Sequence, residues 1–171
     1  MIIAGSQFML RAYRVGDEPA LVRHANNRNV WRNLADMFPH PYTPDAAREW
    51  VQRNVNDPIP HLSLAIAVDD EVVGGIGVMQ KDDVYARTAE VGYWLSESYW
   101  GRGIATEALG LIVDHAFSNL GLARLEAGVF AWNPASARVL EKNGFTLEAR
   151  LKNRIYKDGE LVDELLYARC P

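Results

Sequence analysis

Three groups of residues have types and spacings suited to chemistry. Gly101-Arg102-Gly103 stands between an alternating aromatic run that ends at Leu95 and a long apolar-periodic run that begins at Ile104. Strand, glycine turn and helix in that order can bind an anion. Glycines let the backbone approach a ligand closely, and the unpaired N–H groups of a helix's first turn, with the positive end of its dipole, attract negative charge. Asn133 and Ser136 flank Pro134 at the head of a run that closes at Gly144, which places a hydroxyl in a first helical turn. Glu90 lies four residues before Trp94, so on a strand the two share a face and the carboxylate can draw a proton from a nucleophile.

The glycine turn supports three readings. Gly101 and Gly103 can make a tight strand-to-helix connection and nothing more. A dinucleotide fingerprint needs a glycine where Thr106 stands and a parallel-sheet unit before it, whereas a hairpin-like pair of strands precedes this turn; a Walker loop needs Gly-Lys-Ser/Thr, which is absent. The third reading, a loop for a coenzyme's pyrophosphate, draws its support from residues further along.

The elements that position these groups follow from periodicity and punctuation. Residues 7–14 read as a first strand, and Asp17-Glu18-Pro19 as a helix start with Asp17 as cap. Apolar residues continue at helical spacing to Leu34 with an interruption at Asn26-Asn27, which predicts two short helices. Thr43-Pro44 starts another helix over about 44–55, ended by Asn56-Asp57-Pro58. From His61 the period becomes two: Leu62 to Val68 and Val72 to Met79 form a hairpin around Asp69-Asp70-Glu71, with Gly74, Gly75 and Gly77 marking a bulge or a close backbone approach. Arg87 to Leu95 is a further strand, with Ala89, Val91, Tyr93 and Leu95 on one face and Glu90, Gly92 and Trp94 on the other. The helix from Ile104 carries an apolar stripe through Leu109, Ile112, Val113, Ala116, Phe117 and Leu120 and stops at Gly121. Leu122 to Phe130 is a strand joined to the previous one by that helix, so the two run parallel in a mixed sheet. A helix from Pro134 with Asn133 as cap follows, and strands 147–157 and 160–169 flank an Asp158-Gly159 turn.

A length of 171 residues, 49% of them hydrophobic, suits one compact domain over 1–171. The formal charge of −4, with Lys and Arg scattered, leaves no basic face for nucleic acid. Cys170 is the only cysteine, so an internal disulfide is excluded and a reducing cytoplasm is the expected compartment. Met1-Ile-Ile-Ala lacks the marks of a signal peptide and no apolar run is long enough to span a membrane, which predicts a soluble, cytoplasmic protein with no membrane partner. His24, His40, His61 and His115 show no ligand spacing with one another or with Cys170, and no metal site is expected.

Asn133-Pro-Ala-Ser136, followed by Arg138-Val-Leu-Glu-Lys-Asn-Gly-Phe145, resembles the second signature of the GCN5-related N-acetyltransferase (GNAT) superfamily. Trp100-Gly-Arg-Gly-Ile-Ala-Thr-Glu-Ala108, the strand Ala89-Glu-Val-Gly-Tyr-Trp-Leu95, and Pro39-His-Pro-Tyr-Thr-Pro44 with Ala47 and Trp50 are similar to the branch that acetylates the N-termini of ribosomal proteins. The resemblance spans essentially the whole chain. It implies an α/β fold with a central mixed seven-stranded sheet flanked by helices, and transfer of an acetyl group from acetyl-CoA to a primary amine by direct attack in a ternary complex.

Residue by residue, the resemblance implies that the strands ending near Leu95 and Phe130 splay apart around the coenzyme's pantetheine arm. Trp94 and Leu95 would offer it main-chain partners, and the N–H groups of Gly101, Arg102, Gly103, Ile104, Ala105 and Thr106 would hold the pyrophosphate. Trp100 departs from the Gln or Arg common in the superfamily. Asn133 would cap its helix and touch the arm. The tyrosine that many relatives use as proton donor falls at Leu140, which leaves the Ser136 hydroxyl; its other reading is a first-turn residue satisfying a free N–H. A backbone N–H near Val91 to Tyr93 would face the thioester oxygen. Trp31, Phe38, Tyr42 and Trp50 would wall the acceptor site, or pack the core.

Acetyl transfer needs a neutral amine, a donor to the developing oxyanion and a proton for the leaving thiolate. Glu90 is the first candidate base and also reads as a structural carboxylate. Glu148, Asp163 and Glu164 are rivals, with Asp163 placed opposite Arg154 in the hairpin register and so read as a cross-strand ion pair. An α-amine with a pKa near ~8 needs little help. The acceptor could be a protein N-terminus, an amino acid, a polyamine or an aminoglycoside. An acyl-CoA-binding sensor without turnover and, more distantly, a nucleotide-dependent oxidoreductase are the rival classes. Cys170 reads as incidental, and exposed aromatics permit a homodimer.

Overall fold

The computed structural model describes residues 1–56 and 62–171, so the Asp57-Pro58 stop signal and His61 lie outside the described residues. The strands are β1 (Ile2–Ala4), β2 (Met9–Arg11), β3 (Leu62–Val68), β4 (Glu71–Gln80), β5 (Thr88–Leu95), β6 (Arg124–Phe130), β7 (Thr146–Lys157) and β8 (Glu160–Arg169). The helices are α1 (Glu18–Ala25), α2 (Arg28–Trp31), α3 (Pro44–Asn56), α4 (Ile104–Asn119) and α5 (Pro134–Lys142). One mixed sheet runs in the order β1-β2-β3-β4-β5-β6-β8-β7. Among the described residues only β5 and β6 pair in parallel, because α4 carries the chain back between them.

Among the described residues the sheet has eight strands, where the resemblance implies seven. The first seven-to-fourteen stretch pairs over three residues only, and Ile2–Ala4 folds back on it through a turn closed by Gly5 N donating to Phe8 O at 2.9 Å. A three-residue strand at the start of a chain is too short to show alternation.

Helix boundaries follow the punctuation closely. Asn27 caps α2, its side chain accepting from Asn29 N and Val30 N, and Thr43 Oγ1 accepts from Ala46 N at the start of α3. Asp17 does precede α1 but its side chain makes no cap. The carboxylate instead turns back to Arg11, accepting from Nη1 and Nη2 at 2.9 Å each, and to the Arg14 N–H. Both partners are buried, and a two-pronged guanidinium outcompetes a helix N–H for the same oxygens.

Two apolar cores lie on opposite faces of the sheet. On one, Ala89, Val91 and Leu95 of β5 and Leu125, Ala127 and Val129 of β6 pack under Ile104, Leu109, Ile112 and Val113 of α4 and Leu140 of α5. On the other, Leu21, Ala25, Ala47 and Val51 of α1 and α3 cover Tyr13, Ala65 and Val72, with Phe38, Trp50 and Trp94 against them. Gly75 of β4 serves this second face: a Cβ there would stand 2.4 Å from the Tyr13 hydroxyl and 2.7 Å from Trp94 Nε1. The register slips between Ile66 and Ala67, opposite Gly74 and Val72, so a bulge occurs in the glycine-rich strand.

Asp158 and Gly159 both take positive φ, as a type I′ turn requires, and close the β7–β8 hairpin. The register shifts again between Leu151 and Ile155, which the two-residue turn alone does not reveal. Asp163 is therefore not opposite Arg154. Its carboxylate accepts from Arg150 Nε at 2.7 Å and from Asn153 N at 2.8 Å, and Asn153 takes the positive φ that the bulge needs.

Candidate active site

Strands β5 and β6 pair only at Thr88–Arg124, Ala89–Leu125 and Glu90–Glu126. Beyond Glu90 each keeps its outer partner, β4 for one and β8 for the other, and the two part. Their facing edges then carry backbone groups with no strand to bond, on the walls of a cleft of about 630 Å³. Val91 to Leu95 line one wall and Ala127 to Phe130 the other; Gly101, Gly103 to Thr106, Asn133 and Ser136 close it.

The head of α4 is open. Gly101 and Gly103 have φ of +75° and +79°, and no side chain caps the helix. Nothing lies within 4 Å of where a Cβ on either would stand. The first-turn N–H groups thus face unfilled space beside the cleft, the arrangement that suits a phosphate. Neighbouring contacts brace the turn. Ser6 N and Oγ donate to the Glu107 carboxylate at 2.7 and 2.6 Å, and Arg102 stacks its guanidinium 4.9 Å from the Tyr99 ring centre. Trp100 Nε1 donates to the Leu95 carbonyl at 2.8 Å, which leaves one lone pair of that oxygen for any other donor.

Asn133 caps α5, accepting from Ser136 N at 3.4 Å. Ser136 Oγ meets the Tyr93 hydroxyl at 2.7 Å, so two hydroxyls are joined within the cleft. Burial pushes Tyr93 up to about 12, and it stays protonated over the neutral range. Alternation puts Tyr93 on the apolar face of β5, and sequence reasoning assigns its hydroxyl no role. The available signal was a single phenol among Ala89, Val91 and Leu95. Leu140, at the position of the superfamily's tyrosine, is fully buried in the core.

The opposite face of the sheet supplies the remaining wall. Trp94 shares that face with Glu90, and Phe38 sits edge-on to it at 5.4 Å and against Tyr42 at 5.2 Å. Tyr42 is 5% exposed and belongs to the core, so neither it nor Phe38 lines the cleft. Trp31 points elsewhere, under the Lys157 ammonium at 3.7 Å from its ring centre. The segment these aromatics flank does line the cleft, through Val30, Asn33, Leu34 and Ala35, which sequence reasoning did not single out.

Among the four carboxylates weighed as bases, two are engaged in ion pairs. Glu148 is bound by Arg124 and Asp163 by Arg150; the Arg124 hydrogen bonds lower the first carboxylate from its ordinary value, and the Asn153 N–H, then Arg150, lower the second. Glu90 and Glu164 both line the cleft. The two cations of the lining, Arg138 and Lys142, are on α5, whose end is tied to α4 by Asn143 Nδ2 donating to Thr106 O at 3.0 Å. Positive charge thus stands at the helix end of the cleft and negative charge at the sheet end.

Comparison with known proteins agrees with this geometry. The profile of the acetyltransferase (GNAT) domain matches residues 7–146. A Bacillus subtilis protein named probable N-acetyltransferase YjcK is 33% identical over 98% of this chain and 96% of its own length. The ribosomal L7/L12 alpha-N-protein acetyltransferase RimL, solved in complex with coenzyme A, superposes with a TM-score of 0.86 at 27% identity, covering 99% of this chain and 98% of that one. The spermidine N-acetyltransferase of Vibrio cholerae, solved with CoA and spermine, shares the fold with a TM-score of 0.80 at 23% identity, over 97% and 96% of the two chains. The chain belongs to the GNAT family of acetyl-CoA-dependent N-acetyltransferases.

Proposed function

We propose that this enzyme acetylates a protein N-terminal α-amine of the ribosomal-protein type, with acetyl-CoA held in the cleft between β5 and β6. The observation that carries the reading is the parting of those strands after Glu90, onto an uncapped α4 and a joined Ser–Tyr hydroxyl pair. The site suits the coenzyme: open space over Gly101 and Gly103 admits a pyrophosphate, Arg138 and Lys142 favour its charge, and the free strand edges offer partners to an extended amide-bearing arm. Trp94, Leu95 and Asn133 flank that arm, and Arg102, Ile104, Ala105 and Thr106 complete the phosphate turn.

The co-substrate supplies an acetyl group activated as a thioester. The chain's own residues orient it, exclude water and move protons. The amine's lone pair forms the new C–N bond while a β5 backbone N–H near Val91 to Tyr93 stabilises the oxyanion. As the C–S bond breaks with its electron pair on sulfur, Ser136 Oγ gives that sulfur a proton, with Tyr93 holding the hydroxyl in place. The proton shed by the new amide nitrogen restores Ser136 through solvent. Ser136→Ala should therefore lower turnover with little change in acetyl-CoA affinity, measured by thiol release and calorimetry. Unchanged turnover would remove Ser136 as the acid. Among acceptors, a serine- or alanine-initiated peptide amide should outperform spermidine; the reverse order would favour the polyamine reading, toward which the carboxylates of the cleft lean.

A further inference from the structure

The residues that line the cleft fall into two sets. Strands β5 and β6, the turn before α4 and the head of α5 surround the coenzyme, while Val30, Asn33, Leu34 and Ala35 come from α2 and the loop after it. An acceptor that reaches the thioester meets this second set, whose position depends on how α2 is held. Four residues are too few for a helix to sustain itself, so its anchor comes from outside. Asn27 supplies half of that anchor: its Oδ1 accepts from Asn29 N at 2.7 Å and from Val30 N at 3.3 Å. Its Nδ2 donates to Glu97 Oε2 at 2.8 Å, and Asn29 Nδ2 stands 3.1 Å from both oxygens of the same carboxylate. Asn29 O in turn accepts from Asn33 Nδ2 at 3.4 Å, so the chain of contacts ends on a side chain of the cleft.

Glu97 is a firm point from which to hold them. It follows Ser96, where the chain leaves β5 toward Gly101, and Ser96 is fixed on two sides. Its N–H donates to Val73 O at 2.8 Å, and its Oγ meets His24 Nδ1 at 2.9 Å. His24 Nε2 donates to Glu71 Oε1 at 2.5 Å, on the first residue of β4. The hydrogen bonds from Asn27 and then Asn29 lower Glu97 from its ordinary carboxylate value, so the acceptor of these bonds is charged over the neutral range, and a charged acceptor binds an amide N–H more strongly than a neutral one. We infer that Glu97 is the positioning residue of the acceptor wall: by holding Asn27 and Asn29 it fixes the start of α2, and with it the placement of Val30, Asn33 and Leu34 along the amine's route to the thioester. This deepens the proposed function and rests on it. Glu97 itself is outside the cleft lining and acts through the two asparagines.

The test uses the full chain, with serine- and alanine-initiated peptide amides and spermidine as acceptors, and with acetyl-CoA affinity by calorimetry and melting temperature measured alongside. Glu97→Ala should raise the acceptor KM about tenfold, as loss of a hydrogen bond to a charged group implies, with kcat and acetyl-CoA affinity within about twofold of the parent. Asn27→Asp keeps a capping oxygen for α2 but sets a second carboxylate against Glu97, and should raise KM at least as much. Combining Asn27→Asp with Glu97→Gln reverses the bond, the introduced amide donating to the introduced carboxylate, and should return KM to within about threefold of the parent. An acceptor KM unchanged in Glu97→Ala would overturn the inference. So would a loss that falls on kcat, acetyl-CoA affinity and melting temperature together, the mark of a merely structural role, or a double variant no better than Asn27→Asp alone. A parent enzyme that acetylates no amine would instead refute the proposed function on which the inference rests.

Discussion

Gly103→Asp separates the phosphate turn from the stability of the fold. Gly103 has φ of +79° and precedes α4, and a Cβ there meets nothing within 4 Å. The left-handed backbone costs a side chain about 1–2 kcal/mol, less for Asp, and a carboxylate at a helix head returns roughly 0.3–1 kcal/mol, so stability should change little. Coenzyme binding should respond quite differently. A carboxylate about 5 Å from one phosphate charge repels it by roughly 0.8–3.3 kcal/mol for an effective dielectric of about 80 to about 20, and a pyrophosphate carries about two such charges. The sum, roughly 2–7 kcal/mol, weakens binding by about 20-fold at the least. Gly103→Ala supplies the same backbone cost without the charge. Calorimetry with acetyl-CoA should rank the parent first, Gly103→Ala next and Gly103→Asp last, and the gap between the variants should narrow near ~1 M salt, where the Debye length falls to about 3 Å. Equal affinity for the two variants would refute the electrostatic reasoning, and parental affinity in Gly103→Asp would refute the phosphate turn.

Further outcomes follow from the same contacts. Ser136→Ala should cost turnover on the order of 100-fold and Tyr93→Phe less, since the phenol holds the serine and does not replace it; steady-state thiol release separates them. Tyr42 and Tyr93 are held by burial at about 12, above the ordinary phenol value of about 10. The folded state therefore binds more protons than the unfolded one between those values, stability is full below about pH 10 and falls as pH rises toward about 12, and Tyr42→Phe should flatten that fall in denaturant titrations. Lys157 is 2% exposed, bonded to Asp36 at 2.8 Å and seated on Trp31. Asp36→Ala, which strands a buried ammonium, should lower stability by about 1–3 kcal/mol, whereas Lys157→Met should cost less; the opposite order in chemical denaturation would contradict this account of the loop's anchor.

Local signals made much of the fold legible. The helix at Ile104, the break at Asn26-Asn27, the capped starts at Thr43 and Asn133, and the Asp158-Gly159 hairpin all rest on interactions within a few residues of one another. What stayed hidden depends on distant partners. Asp17 looked like a cap until Arg11 came within reach, Arg150 and not Arg154 meets Asp163 because a bulge shifts the register, and Ile2–Ala4 became a strand only by leaning on Met9–Arg11. The site divided in the same way. The glycine turn and the Asn-x-x-Ser helix head are local motifs, and the cleft brings them together. The Tyr93–Ser136 contact joins residues dozens of positions apart by packing α5 on β5, and the room that Gly128 leaves beside Glu164 comes from the pairing of β6 with β8. Aromatic residues were drawn to the acceptor wall by type, yet Trp31 and Tyr42 are held by Lys157 and by the second core, and smaller neighbours such as Asn33 and Leu34 face the cleft.

The most direct measurement is acceptor-dependent thiol release from acetyl-CoA by the intact enzyme, with the acetylated product identified by mass. Serine- and alanine-initiated peptide amides should release thiol in step with a single acetyl group on the α-amine, and blocking that amine should abolish it. Tight acetyl-CoA binding with no release on these peptides would contradict the assignment to a protein N-terminus, and release with the acetyl group on spermidine alone would transfer the activity to polyamines.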